Sequence, residues 1–258
     1  MSRLKVVRPM IRVDPVFPGR PLRLVVLASG EGTLFQALLD ARREMPSFSV
    51  QALVTDKPCA AIERARHEDI PVATVTPSRK NTSVPTQTPE PHPDQCDDSA
   101  DSWPAADSQA GTCHHDTYAE RRRQWNSELA QAVQHYGPDI VVSAGFMRIV
   151  GDEFLARFGG RMINTHPALL PAFPGAHAVA DAVAYGAKIT GSTIHLVDSG
   201  VDTGPILEQE AVPIHDGDTP DTVHRRIKIV ERRLLVSTLD AIARRGYISD
   251  GRKASFLP

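Results

Sequence analysis

The sequence predicts an α/β protein with a mostly parallel, twisted β-sheet, and three observations support this fold class. Short apolar segments rich in Val, Ile and Leu alternate with segments of helical periodicity in the amino-terminal part of the chain. The connections between these segments are short, which favours parallel strands joined by helices that cover both faces of the sheet. The chain has 258 residues, of which 41% are hydrophobic and 23% charged, so it is long enough to bury a core.

The overall charge and the cysteine content exclude several classes of protein. Lys and Arg number 29 and Asp and Glu number 31, so the net charge is −2, and we expect no nucleic-acid partner bound through bulk positive charge. Three scattered cysteines are too few for a disulfide framework, and no apolar run approaches the roughly 20 residues of a membrane helix. The basic amino terminus is broken by prolines and makes a poor signal peptide. We therefore expect a cytoplasmic protein with no membrane partner.

The amino-terminal elements follow a Rossmann-like β-α-β-α-β order. Residues 22–28 (LRLVVLA) are a compact apolar run that is typical of a buried strand. A turn that contains two glycines leads from this strand into the first helix. The further predicted elements are helix 34–43, strand 48–55, helix 60–68 and strand 71–75.

A change of composition marks an insertion within an otherwise single domain, residues 22–246. Residues 77–115 contain six of the 21 prolines, are rich in Asp, Ser, Thr and Gln, and have few large aliphatic side chains. Such a segment buries too little apolar surface to offset the entropy of ordering it, so we predict that it is disordered. We also predict a disordered leader over residues 1–21 and a carboxyl-terminal tail over residues 247–258.

The carboxyl-terminal half begins with a helix that ends at a Gly-Pro pair and continues with a buried strand (DIVVSA). Two later strands are predicted to form an antiparallel pair. A long final helix starts near Thr219 and Pro220, because Pro suits the first turn of a helix. The predicted elements are helix 118–136, strand 139–144, helix 153–158, strand 161–164, helix 176–185 and strands 193–197 and 206–213.

The turn after the first strand, SGEGT at residues 29–33, is a candidate anion site. Its glycines let a ligand approach the backbone, and free N–H groups at the start of a helix favour an anion. A tight turn that simply needs glycine explains the same sequence equally well. The candidate residues are Gly30, Glu31, Gly32 and Thr33.

The segment NTHPALLP, residues 164–171, lies at the carboxyl end of the predicted strand 161–164 and carries two candidate catalytic side chains. Asn164 offers an amide donor that can stabilise an oxyanion, and His166 can move a proton near neutral pH. Because alternate residues of an extended segment point the same way, both side chains are expected on one face. Ligands of open α/β sheets bind at this carboxyl edge, which favours a functional explanation over a structural one.

The loop DSGVDTGP at residues 198–205 contributes carboxylates. Turn chemistry alone does not choose between Asp198 and Asp202, because Asp is common in polar hairpins. An anion pocket, an oxyanion donor, a proton carrier and a carboxylate together suit acyl-type transfer. We expect no metal, because the scattered Cys and His side chains of the insertion lack the spacing of zinc ligands. They are His92, Cys96, Cys113, His114 and His115.

Taken together, these segments resemble the folate-dependent phosphoribosylglycinamide formyltransferases, or GAR transformylases. The resemblance spans residues 22–243 apart from the insertion. It rests on LVVLASGEGT, DIVVSAGFMRIVGDEF, MINTHPALLPAFPGAH and TGSTIHLVDSGVDTGPILEQ. It implies the formyltransferase fold and transfer of the formyl group of the co-substrate 10-formyltetrahydrofolate to the amine of glycinamide ribonucleotide (GAR) in purine biosynthesis. The partners would be these two small molecules, and we expect a monomer or a weak homodimer.

The resemblance also assigns catalytic roles to individual residues. Asn164 would stabilise the developing oxyanion, and His166 would support it and take part in proton transfer. Asp202 would pair with His166, favour its protonated form and assist removal of a proton from the attacking amine. His177 would help to position Asp202, and Asp198 would then be a hairpin residue.

Substrate contacts are implied in the same way. The phosphate would lie on the backbone of residues 30–33, although Glu31 and Leu34 depart from the usual SGNGSN sequence of the family. Glu231 would contact the glycinamide and ribose end of the substrate. The folate would lie along a set of mostly apolar residues, with a basic residue near its glutamate tail: Phe146, Met147, Arg148, Ile149, Val150, Val197 and Arg122. A solvated helix face explains Arg122 equally well.

Several alternatives compete with this interpretation. A 10-formyltetrahydrofolate hydrolase would share the Asn, His and Asp but transfer the formyl group to water, and its usual regulatory domain would not fit in residues 1–21. A methionyl-tRNA formyltransferase would need an added RNA-binding domain and a basic surface. A binding protein that has lost catalysis is disfavoured by the intact Asn164, His166 and Asp202. The insertion would, on another hypothesis, bind a protein partner.

Overall fold

The computed structural model describes residues 10–77 and 118–258. Within these ranges the chain forms one seven-stranded sheet, one three-stranded sheet and six helices. The strands are β1 Ile11–Val13, β2 Leu22–Ala28, β3 Phe48–Thr55, β4 Val72–Thr74, β5 Ile140–Ser143, β6 Met162–His166, β7 Ile189–Leu196, β8 Ile206–Pro213, β9 Tyr247–Ser249 and β10 Ala254–Phe256. The helices are α1 Thr33–Ala41, α2 Ala61–His67, α3 Tyr118–His135, α4 Asp152–Phe158, α5 Ala178–Tyr185 and α6 Pro220–Arg245.

The seven-stranded sheet confirms the predicted fold class. Its strand order is β4-β3-β2-β5-β6-β7-β8; the first five strands are parallel, and β7 and β8 are added antiparallel. The register aligns Asn164 with Ser143 on one side and with His195 on the other. Carboxyl ends of parallel strands meet at one edge, so β2, β5 and β6 deliver their loops to the same place.

Apolar side chains cover the sheet on both faces. One face packs against α1, α2 and α6, and the other packs against α3 and α4. The long helix α6 begins as predicted, with Thr219 as a capping residue that accepts a hydrogen bond from the Thr222 N–H, and with Pro220 in the first turn. Within the described ranges, no helix is long and apolar enough to cross a membrane.

Two strands are longer than predicted at the edge that bears the candidate site. Strand β6 continues to His166, so His166 lies within the strand together with Asn164, which was predicted to be its last residue. Strand β7 begins at Ile189, because its polar and small residues pair with β8 along the whole length. The predicted insertion over residues 77–115 lies, except for Pro77, outside the described residues.

The predictions of a disordered leader and of a separate tail are wrong for the described residues. Strand β1 and strand β10 both pair antiparallel with β9. The small sheet is fixed to the main body because the Tyr247 hydroxyl donates to the Gly160 carbonyl and because Ile11 packs on Gly160. A Cβ at Gly160 would lie 2.3 Å from Ile11 Cδ1, and its φ of 74° also favours glycine. Only residues 1–9 of the leader are outside the description.

A partly buried carboxylate joins this amino-terminal segment to the main sheet. Asp139 accepts hydrogen bonds from Arg20 Nη2 at 2.9 Å, Arg23 Nη2 at 3.1 Å and the Arg23 N–H at 2.9 Å. Burial alone would raise the pKa of the Asp139 carboxyl, but the hydrogen bonds from Arg20 and Arg23 outweigh it. They hold this pKa well below its usual range.

We expect Asp139→Asn to lower the free energy of unfolding by about 1–3 kcal/mol at neutral pH, because the amide cannot replace the charge-assisted bonds. Since the folded-state pKa is depressed, the stabilisation is complete above the unfolded pKa of about 3.9 and is lost as the pH falls. Urea unfolding at pH 7 and pH 3 should therefore show a difference between variant and wild type that shrinks at pH 3. Asp216→Asn, at an exposed pair with Lys188, is the control. An equal difference at both pH values would contradict the assignment.

Candidate active site

Asn164 lies on β6 directly opposite His195 on β7. Because paired residues of antiparallel strands present their side chains to the same face, the two polar groups meet. Asn164 Nδ2 lies 3.3 Å from His195 Nε2. His195 Nδ1 lies 2.9 Å from the Leu196 carbonyl oxygen, which can only accept, so Nδ1 carries the proton. The Asn164 amide therefore lies beside the His195 ring at the end of β6, where it is a candidate donor for a ligand.

His166 is buried at the end of β6 between two acceptors. Its Nε2 lies 2.8 Å from the Phe173 carbonyl oxygen, and its Nδ1 lies 3.2 Å from Asp202 Oδ2. Only 4% of the side chain is exposed. A carbonyl and a carboxylate both need donors, so the doubly protonated imidazolium satisfies both contacts at once.

Asp202 is brought to this face by the loop between β7 and β8, where its φ is 53°. Its Oδ2 accepts a hydrogen bond from the Gly175 N–H at 2.8 Å, and its Oδ1 lies 3.6 Å from His195 Nε2. The interaction with His195 is the largest influence. Burial raises the pKa of the Asp202 carboxyl, but the interactions with His195, the Gly175 N–H and the charge of His166 outweigh this effect. Together they lower the pKa to about 2. Asp202 is therefore a carboxylate at neutral pH, as a proton acceptor must be.

His195 is a site residue that the sequence reasoning missed. It touches both Asn164 and Asp202, and it is 2% exposed. A signal was present, since His195 is a titratable residue inside the apolar strand TIHLV, but the pairing register that places it opposite Asn164 is not readable from the sequence. The role of His177 in positioning Asp202 stays a prediction. His177 is exposed before α5, and among the described residues no hydrogen bond or ion pair joins it to Asp202.

We expect His195→Phe to lower kcat by about 10- to 100-fold with little change in KM, because His195 acts through the orientation of Asn164 and Asp202. The loss of its influence raises the pKa of Asp202 toward its usual value, so an acid limb should enter the pH profile of kcat/KM near pH 4. His195→Gln, which keeps a polar group, should recover part of the rate. His215→Ala, at an exposed turn, is the control. A variant with a raised KM and unchanged kcat would contradict the positioning role.

The glycine turn, residues 29–33, lies at the same edge of the sheet and leads into α1. Gly32, with φ 69°, precedes α1, and a Cβ there would lie 2.7 Å from Ala61 Cβ. Within the described ranges, the backbone hydrogen bonds outside helices and strands leave the N–H groups of Glu31, Gly32 and Thr33 unused. The side chain of Glu31 is exposed, whereas Leu34 is buried in the core. Neither departure from the family sequence therefore blocks the backbone donors.

Glu231 reaches the end of β6 from the opposite face of the sheet. It is a buried residue of α6, and its carboxyl interacts with Thr165, which lies between Asn164 and His166. Burial raises the pKa of the Glu231 carboxyl, and the interaction with Thr165 opposes this effect. The structure thus places Glu231 beside strand β6, and among the described residues no hydrogen bond or ion pair joins it to His166 or Asp202.

The predicted folate residues lie in the loop after β5 and follow the carboxyl edge. Phe146 is buried and stacks on Trp125 with ring centroids 6.4 Å apart. Arg148 pairs with the buried Asp56 at 2.6 Å and lies over the Trp125 ring at 5.7 Å. Of the other predicted residues in the loop, two are exposed and one is buried: Met147, Ile149 and Val150.

The remaining two folate residues are less closely tied to this loop. Val197 lines a cavity of about 340 Å³ between the end of α4, the loop after β7 and the small sheet. Arg122 is exposed on α3, and its backbone carbonyl accepts a hydrogen bond from Asn126. The contact of Arg122 with a folate therefore stays a prediction. In the described part of the chain, no group of three or more His, Cys, Asp or Glu side chains could hold a metal ion.

Comparison with known proteins gives a consistent result. A model of the formyl transferase family matches residues 22–239. A phosphoribosylglycinamide formyltransferase of Mycobacterium tuberculosis is 47% identical over 92% of this chain and 93% of its own length. That of Bacillus subtilis is 32% identical over 90% of this chain and 99% of its own. A crystal structure of glycinamide ribonucleotide transformylase 1 from Symbiobacterium toebii matches with a TM-score of 0.73 and 32% identity, over 93% of this chain and 96% of that one.

Proposed function

The chain belongs to the formyl transferase family, and from this premise we propose that it transfers the formyl group of 10-formyltetrahydrofolate to the amine of glycinamide ribonucleotide. The products are formyl-GAR and tetrahydrofolate, and the reaction belongs to purine biosynthesis. The observation that supports this proposal most directly is a cluster of four side chains at one edge of the sheet: Asn164, His166, His195 and Asp202. An amide, two imidazoles and a carboxylate in mutual contact supply the groups that this proposal needs: an oxyanion donor, a cation and a base.

The first step is direct attack of the substrate amine on the formyl carbon. A nitrogen–carbon bond forms, and the formyl oxygen becomes an oxyanion. The amide of Asn164 and the positive charge of His166 stabilise it. Preorganised donors of this kind interact more strongly with the transition state than with the bound substrate. They therefore lower the activation barrier.

The proton of the attacking amine must leave as the tetrahedral intermediate forms. Asp202 is ionised and accepts this proton, directly or through a water molecule. The bond from the carbon to the folate N10 then breaks, the carbonyl re-forms, and the folate nitrogen takes up a proton from the His166 and Asp202 pair. No covalent intermediate with the enzyme is needed.

The other candidate residues bind the two substrates. The backbone N–H groups of residues 30–33 hold the phosphate, and Glu231 contacts the glycinamide and ribose end. The folate lies along the exposed side chains of the loop after β5, with Arg148 held in place by Asp56 and Trp125. Val197 and the exposed Arg122 extend this surface.

A turnover assay with two readouts tests the proposal. Purified protein receives 10-formyltetrahydrofolate with and without GAR; release of tetrahydrofolate is followed optically and formyl-GAR by mass. Release only with both substrates, matched by formyl-GAR, is the expected result. Release without GAR, with formate as product, would establish the hydrolase instead. Folate binding without turnover would indicate a binding protein.

A further inference from the structure

Arg64 of α2 extends toward the glycine turn and is anchored there. Its Nε donates to the Glu31 carbonyl oxygen at 2.8 Å, and its Nη1 donates to Gln36 Oε1 at 3.0 Å. Helix α2 is fixed against the turn because the Ala61 N–H donates to the Gly30 carbonyl at 3.2 Å. The two acceptors of Arg64, Glu31 and Gln36, belong to the turn and the first helix turn of α1, the same stretch of chain that carries the unused N–H groups.

The guanidinium of Arg64 has no carboxylate partner among the described residues, and Arg64 is half-buried. Its neighbour Arg66 on the same helix pairs with Glu63 and is exposed. The two anchors of Arg64 are neutral oxygens, so its positive charge is not compensated locally. An arginine held in one orientation by neutral acceptors presents its remaining N–H groups to an anion at little further entropic cost.

The charge balance at the turn also calls for a cation. A phosphate monoester brings nearly two negative charges, and the turn contributes the exposed carboxylate of Glu31 but no Lys or Arg of its own. Backbone donors and the dipole of α1 contribute only partial charges. Among the described residues, Arg64 is the cationic side chain that hydrogen-bonds to this turn.

We propose that Arg64 binds the substrate phosphate together with the backbone of residues 30–33, and so sets the preference for a phosphorylated substrate. This inference rests on the proposed function. Arg64 forms charge-assisted hydrogen bonds to phosphate oxygens and offsets the charge of Glu31. Arg64 is far in sequence from the turn, so the turn motif alone does not predict that Arg64 lies beside it.

The test compares GAR with glycinamide ribonucleoside, which lacks the phosphate, in wild type and in Arg64→Ala. We expect KM for GAR to rise about 10- to 100-fold with kcat nearly unchanged, because a hydrogen-bonded charge pair is removed. The kcat/KM for the ribonucleoside and KM for the folate should not change. Arg66→Ala, which removes a paired arginine from the same helix, should behave as wild type.

Two results would overturn the inference. The first is an unchanged KM for GAR in Arg64→Ala. The second is an equal loss with GAR and with the ribonucleoside, which would mean that Arg64 only shapes the turn through the Glu31 carbonyl. Arg64→Lys and Arg64→Gln make the same comparison if the alanine variant does not fold, and Lys should retain more of the phosphate preference. Wild-type protein that does not formylate GAR would instead refute the proposed function.

Discussion

Replacement of Asp202 by Asn should lower kcat by about 10³-fold while KM for either substrate changes less than about threefold. The amide keeps the size of the carboxylate and can still accept the Gly175 N–H. It has no charge to support a protonated His166, and it cannot take a proton from the attacking amine. The effect therefore falls on the transition state.

Steady-state kinetics with both substrates, together with equilibrium binding of an unreactive folate, would measure this effect. Asp216→Asn removes an exposed carboxylate of the same type and should leave kcat unchanged. A weakened folate affinity with kcat preserved would refute the role of Asp202 in proton transfer. Thermal unfolding of both variants shows whether the fold is intact.

His166→Ala should lower kcat by about 10²- to 10⁴-fold, because it removes the cation beside the developing oxyanion and one partner of the proton transfer. His135→Ala, at the exposed end of α3, is the matched control. A His166→Ala enzyme with near-normal kcat would exclude the histidine from the chemistry.

A double variant distinguishes a catalytic unit from two independent groups. Asp202 and His166 lie 3.2 Å apart and support each other's charge. The combined loss in Asp202→Asn with His166→Ala should be close to that of the worse single variant, since residues that act as a unit are strongly non-additive. Losses that multiply would mean that the two side chains act separately.

The order of strands and helices was predictable because each element is marked by local patterns. The buried strand at Leu22–Ala28 is apolar except for Arg23, and Thr219 and Pro220 mark the start of α6. The spacing of Asn164 and His166 likewise placed both side chains on one face. These are short-range features, and the physical rules for them need no tertiary information.

Features that depend on pairing between distant segments were not predictable from the residues. His195 enters the site through its antiparallel register with Asn164. Turn chemistry left Asp198 and Asp202 equivalent, and only the resemblance and then the structure separated them. Asp198 accepts from Gly200 and Thr203 within its own loop, whereas Asp202 turns to His166. Strand β1 was read as disordered because three residues among prolines carry no strand signal without their partner β9.

The pairing of β1 with β9 has a consequence for the order of folding. All seven strands of the main sheet, and the helix α6 that covers one of its faces, precede β9 in the chain, so the main body can form before β9 is available. Strand β1 is made first but has no partner until β9 follows α6, so it joins the protein last. Closing this contact spans nearly the whole chain, which is slow relative to local pairing. Newly made protein should thus reach a folded catalytic edge before its amino-terminal segment docks.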